Sequence, residues 1–116
     1  MKRDENLIRS LLLELEAAND FELDGGANSI GNHDEARHYH FMLMQDAGLV
    51  AHTNHGFFRL TSQGHDFLDA IRDEGLWQQT KAVVAESGGN VTVEILKQLA
   101  VGLLKKKINQ HTDIEL

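Results

Sequence analysis

Between His33 and Arg72 the chain passes through an apolar helical pattern, a glycine, two short β-like runs and a second helical pattern. That order restricts the fold more than any other feature. The first pattern runs through Ala36, Tyr39, His40, Leu43 and Ala47 at spacings of three and four, and stops at Gly48, the residue type favoured just past a helix end. Leu49 and Val50 open a strand, Thr53, Asn54, His55 and Gly56 supply turn chemistry, and Phe57, Phe58, Arg59 and Leu60 give a second strand. Thr61 follows as an N-cap, with Gly64 in the first turn and Phe67, Leu68 and Ile71 as the stripe of the next helix. A helix, a tight hairpin and another helix in this order read as a winged helix, the hairpin being the wing. The predicted class is therefore mainly α with a small β wing (α+β), a winged helix-turn-helix-like domain with additional C-terminal helices. Such a fold does not by itself select an activity.

The flanking segments extend this frame. The spacing predicts a first helix from Asp4 to Ala18, with Leu7, Ile8, Leu11, Leu15 and Ala18 on its core face and Leu13 pointing away from it. Phe21, Glu22 and Leu23 form a short edge strand, and Asp24, Gly25 and Gly26 turn the chain. The segment Gly25 to Asn32 is short and glycine-rich, which makes a weak first helix for a helix-turn-helix. After the wing, the helix from Leu60 to Asp73 is expected to break at Gly75, because Trp77 is out of phase with Phe67 and Ile71. Leu76, Trp77, Thr80, Val83 and Val84 then line a helix ended by Ser87, Gly88 and Gly89. The last helix, Thr92 to Ile108, carries Val93, Leu96, Leu99, Ala100, Leu103 and Leu104 on one broad face. That face calls for burial, either against the first helix or against the same helix of a second chain in a homodimer. Lys105, Lys106 and Lys107 close the helix, where cations interact favourably with its negative end. Residues 1–116 thus read as one domain, with a winged core over 1–73 and a helical extension over 75–110.

Composition removes several classes of function. No run of about 18 apolar residues is present, and the opening MKRDENLIR lacks the apolar core of a secretion signal, so the expectation is a cytoplasmic protein that does not enter a membrane. Cysteine is absent, which excludes disulfides, thiolate zinc sites and cysteine nucleophiles together. There is no glycine-rich phosphate loop, GxSxG, HExxH or EF-hand loop. Of the seven histidines, His33, His38, His40, His52, His55 and His65 fall in one third of the chain, but His38 and His40 project to different helix faces rather than standing at i and i+4. His40 reads as a hydrogen-bonded core residue, and the neighbours His65 and Asp66 diverge on a helix. We therefore expect no metal, no cofactor and no catalytic constellation.

Opposite the Ala36, Leu43 and Ala47 stripe the helical wheel places Asp34, Arg37, His38, Phe41, Met42 and Gln45. Two kinds of partner fit such a face. Phe41 and Met42 beside Arg37 make a protein-binding hot spot. Arg37, His38 and Gln45, with Arg59 on the wing, could instead read double-stranded DNA from the major groove. The formal charge of −7 opposes the second reading without forbidding a local basic patch. The expectation is a non-enzymatic binding module acting on a protein partner, with sequence-specific DNA binding by a transcriptional regulator as the alternative.

The opening MKRDENLIRSLLLELE, the middle YHFMLMQDAGLV and above all LTSQGHDFLDAIRDEGLWQQTK resemble the bacterial and prophage family known as domain of unknown function 2513. Leu60, Thr61, Gly64, His65, Phe67, Leu68, Ile71, Arg72 and Trp77 carry the likeness in combination, which covers nearly the whole chain. The resemblance implies a winged-helix-like fold and no known activity. It also implies an origin in phage or mobile elements, whose small proteins repress transcription or interfere with host machinery.

Overall fold

The computed structural model describes residues 1–26, 34–89 and 91–112, with side chains given up to residue 110. Among them are five helices, α1 (Glu5–Ala17), α2 (Glu35–Asp46), α3 (Ser62–Ile71), α4 (Glu74–Glu86) and α5 (Val93–Thr112), and three strands, β1 (Glu22–Asp24), β2 (Val50–His52) and β3 (Phe57–Leu60). The chain is mainly helical with one small antiparallel sheet of order β1-β3-β2. It divides into two compact units, residues 1–68 and 69–116. Apart from Gly25 and Gly26, the segment expected to make a weak first helix lies outside the described residues, as does His33.

In the first unit α1 buries Ile8, Leu11, Leu12 and Leu15 and packs on α2 and β3. Leu13 is half-buried rather than turned out. The N-cap of α1 is Asp4, whose Oδ1 accepts from the backbone N–H of Asn6 at 3.0 Å and of Leu7 at 3.3 Å. In a capping box a Glu or Gln three residues on would accept from the cap's own N–H. Leu7 occupies that position and cannot, so His40 of α2 does so from across the core: its Nε2 accepts from the Asp4 N–H at 2.8 Å. Its Nδ1 lies 2.7 Å from the Ala36 carbonyl, which only accepts. The two contacts together require a neutral ring protonated on Nδ1. His40 is thus the hydrogen-bonded core histidine expected from its position.

The junction of α2, the hairpin and α3 closes on itself. Gly48, at φ +77°, ends α2 by donating to the Gln45 carbonyl at 3.0 Å, while Leu49 N–H reaches the Met44 carbonyl at 2.8 Å. The expected turn Thr53–Gly56 joins β2 to β3, with Val50 opposite Leu60 and His52 opposite Phe58. Thr61 caps α3 by accepting from the Gly64 N–H at 3.0 Å, and its hydroxyl donates back to the Gly48 carbonyl. A Cβ on Gly64 would be driven into the Leu49 carbonyl oxygen, so the close passage of hairpin and helix depends on that glycine.

In the second unit the break between helices falls at Arg72 and Asp73, ahead of the expected Gly75. Asp73 caps α4 by accepting from the Leu76 N–H at 2.9 Å, and this leaves Gly75 inside the first turn. Leu76, Trp77, Thr80 and Val84 are buried on α4, and Val93, Leu96 and Ala100 on α5, which packs against it. The Thr80 hydroxyl is satisfied by the Leu76 carbonyl at 2.8 Å. Helix α5 continues to Thr112, past the expected end at Ile108. Lys105, Lys106 and Lys107 therefore stand more than a turn from its end, where interaction with the helix dipole has fallen off. Lys107 instead faces the Asp73 carboxylate at 3.9 Å.

Four outcomes test these features. Gly64→Ala, which on an ordinary helix would stabilise, is expected to cost more than about 2 kcal/mol in denaturant unfolding. Gly102→Ala in α5, whose added Cβ meets nothing within 4 Å, is expected to gain about 0.5–1 kcal/mol. Long-range nitrogen NMR is expected to show His40 protonated on Nδ1, and His40→Phe, which orphans the Asp4 N–H, to destabilise by about 1–3 kcal/mol.

Candidate surface on the second helix

Helix α2 starts at Asp34, whose Oδ1 accepts from the Arg37 N–H at 3.0 Å. The residues it turns inward are His40, Phe41 and Met44, all buried, together with the half-buried Arg37. The expected inward stripe was Ala36, Tyr39, His40, Leu43 and Ala47. The observed one runs one residue later, a rotation of about 100° about the helix axis. Ala36 is exposed, and Tyr39 and Leu43 are half-buried.

This rotation corrects the expected binding face. Phe41 is not presented outward: it is fully buried and its ring stacks on Phe58, with centroids 4.9 Å apart and planes at 13°. Arg37 is also held within the unit. Its Nε donates to the Asp24 carbonyl at 2.8 Å, its Nη1 meets Glu14 at 3.1 Å, and its guanidinium lies 5.4 Å from the centre of the Phe41 ring. One side chain thereby ties α1, β1 and α2 together. His38 is half-buried, and its Nδ1 has no hydrogen-bond partner among the described residues.

Met42 and Gln45 are exposed as expected, Met42 by 41%. By helical geometry the centre of the outward face is Glu35, Tyr39, Met42 and Asp46, with His38 and Gln45 on one flank and Ala36 and Leu43 on the other. It is an apolar and acidic surface. Tyr39, Glu35 and Asp46 were missed because the stripe was placed one residue too early. Arg59 is exposed on β3, separate from this face in sequence and element; its Nη1 donates to the Leu60 carbonyl at 3.0 Å. The six expected residues therefore separate into two that are structural, Arg37 and Phe41, three on α2 that are exposed or half-exposed, and one on the hairpin.

Among the described residues the remaining histidines do not come together. His52 meets Phe58 edge-on at 5.2 Å, His55 occupies the hairpin turn at φ +52°, and His65 is exposed in α3 beside an exposed Asp66. Among the described residues no group of three or more His, Asp or Glu side chains is arranged to hold a metal ion. None of the described helices is long and apolar enough to cross a membrane.

The chain is 31% identical over 119 residues to an uncharacterized protein of Haemophilus influenzae, an alignment that covers 93% of this chain and 99% of that relative. No solved structure matches it. The family described as hypothetical protein (DUF2513) matches residues 2–90. The chain belongs to that family.

Proposed function

We propose that the chain is a non-enzymatic, winged-helix-type module that binds a protein partner through the outward face of α2. The sheet order β1-β3-β2, with β2 and β3 as a hairpin directly after α2, supports the winged-helix reading. The observation that carries the choice of partner is the orientation of α2: its only arginine is turned inward onto Asp24, Glu14 and Phe41, while the exposed Met42 and the half-buried Tyr39 sit on the opposite face between Glu35 and Asp46. A groove-reading helix needs the reverse arrangement.

Charge supports the same choice. Residues 1–68 hold five Lys and Arg against eleven Asp and Glu, a formal charge of −6 of the total −7. A phosphate backbone is repelled by such a unit, and a basic protein surface is attracted to it. The Met42 thioether adapts to irregular apolar partners, and a tyrosine supplies contact area at low entropic cost. A small regulatory or host-interfering protein of phage or mobile-element origin fits this chemistry. DNA reading through Arg59, His38 and Gln45 is the second reading, supported by the exposure of Arg59 on the hairpin.

Met42→Asp is expected to abolish capture of a partner while shifting unfolding free energy by no more than about 0.5–1 kcal/mol, as surface changes do. Fluorescence anisotropy with duplex DNA between about 50 and 200 mM salt is expected to stay flat. Submicromolar binding that falls steeply with salt and disappears in Arg59→Ala would reverse the assignment.

A further inference from the structure

The first unit carries a cavity of about 260 Å³ whose lining includes Leu15 of α1, Phe21 just before β1, Arg59 and Leu60 of β3, and His65 of α3, with Glu16 also on its wall. Phe21 stands out on two independent grounds. Its backbone lies at φ +55°, in the left-handed region that a bulky side chain strains to occupy. The residue is also 67% exposed, so burial does not offset that strain. A glycine or asparagine would make the same turn into β1 without it. An aromatic held in this way at a cavity wall is the arrangement of a ligand clamp.

Arg59 supplies the second half of the chemistry. Its bond to the Leu60 carbonyl uses one of the guanidinium's five N–H donors and leaves the others available. Glu22 is its cross-strand neighbour in the register, yet among the described residues no carboxylate forms an ion pair with Arg59. His65 is exposed and offers an N–H donor in either protonation state. The volume falls just below the roughly 300–1,000 Å³ of drug-sized pockets, which restricts the occupant to a small molecule or the end of a chain.

We propose that this cavity binds a monocarboxylate with an aromatic or branched apolar body. The body lies on Leu15 and Leu60 against the Phe21 ring, and the carboxylate takes the Arg59 fork with His65 as a second donor. A free aryl acid and a peptide ending in an apolar residue present the same chemistry. The proposal is independent of the α2 surface and stands or falls separately from it.

The test is a nitrogen–proton NMR titration of the full chain at constant ionic strength. The probes are phenylacetate, phenethylamine, and a short peptide ending in phenylalanine as its free acid and its amide. Phenylacetate is expected to shift the Phe21 amide and the Arg59 Nε–H with a Kd on the order of 1 mM. Arg59→Gln is expected to remove the response. Phe21→Gly carries the sharpest expectation: the thermal midpoint holds or rises because glycine accepts this φ, while affinity drops about tenfold or more. A free-acid peptide that binds at least about tenfold tighter than phenylacetate, with its amide silent, identifies a chain terminus as the ligand; phenylacetate binding alone identifies a small acid. Absence of any shift up to about 20 mM in all four titrations overturns the proposal. So does phenethylamine binding as well as phenylacetate, or unchanged affinity in Phe21→Gly.

Discussion

The Phe58 ring is the point on which the first unit depends. Phe41 stacks on it, His52 meets it edge-on, and Gly25 passes so close that any Cβ there would run into it. The Gly25 N–H then donates to the Gly56 carbonyl at 2.9 Å, which ties the β1 end to the hairpin turn. One aromatic side chain thus sets the position of β1, the curl of the hairpin and the rotation of α2. Stacked pairs of this kind contribute about 0.5–1.5 kcal/mol beyond their buried area. The larger consequence is geometric: once Phe41 is on Phe58, Arg37 is carried to Asp24 and Glu14, His40 to the cap of α1, and Met42 to solvent.

This dependence explains which parts of the fold were legible in the sequence. Helix and strand positions follow local rules, and most of these were legible: Thr61 as a cap, Asp4 at the start of the first helix, Gly48 as a helix end, and Thr53–Gly56 between two β-like runs. The edge strand after Phe21 was legible for the same reason. The rotation of α2 was not. Phe41, Met42, Leu43 and Met44 are four consecutive apolar residues, and such a run points to every side of a helix. Periodicity cannot choose among them. What chooses is a ring on another element, twelve or more residues away, and no local pattern records it. A one-residue error in phase then exchanged Phe41 for Tyr39 as the outward aromatic and made Arg37 look available.

The second unit shows the complementary case. The end of the lysine run was misread because helix α5 carries no glycine or proline after Lys107 to stop it, and the Asn, Gln and His that follow are all tolerated in a helix. The break before α4 was placed two residues late because Gly75 attracts the eye, whereas the Asp73 cap decides it. In both places a capping side chain, or its absence, outweighed the intrinsic preference of a neighbouring residue.

The same accounting narrows the chemistry left on the surface. The groups most able to act on another molecule are largely committed to the fold: Arg37 to three internal partners, His40 to two backbone groups, Thr61 to both ends of the hairpin, and Asp4, Asp34 and Asp73 to helix starts. Most of these interactions satisfy a backbone donor or acceptor at a helix start or between elements, and Arg37 adds an ion pair to Glu14 and a contact with the Phe41 ring, so releasing any of them for a ligand loosens an element. What remains outward on α2 is a thioether, a phenol and carboxylates, and on the hairpin a single guanidinium. A surface of that make-up lacks the spaced cations a nucleic-acid backbone requires. It retains apolar contact area framed by negative charge, which suits a basic protein surface.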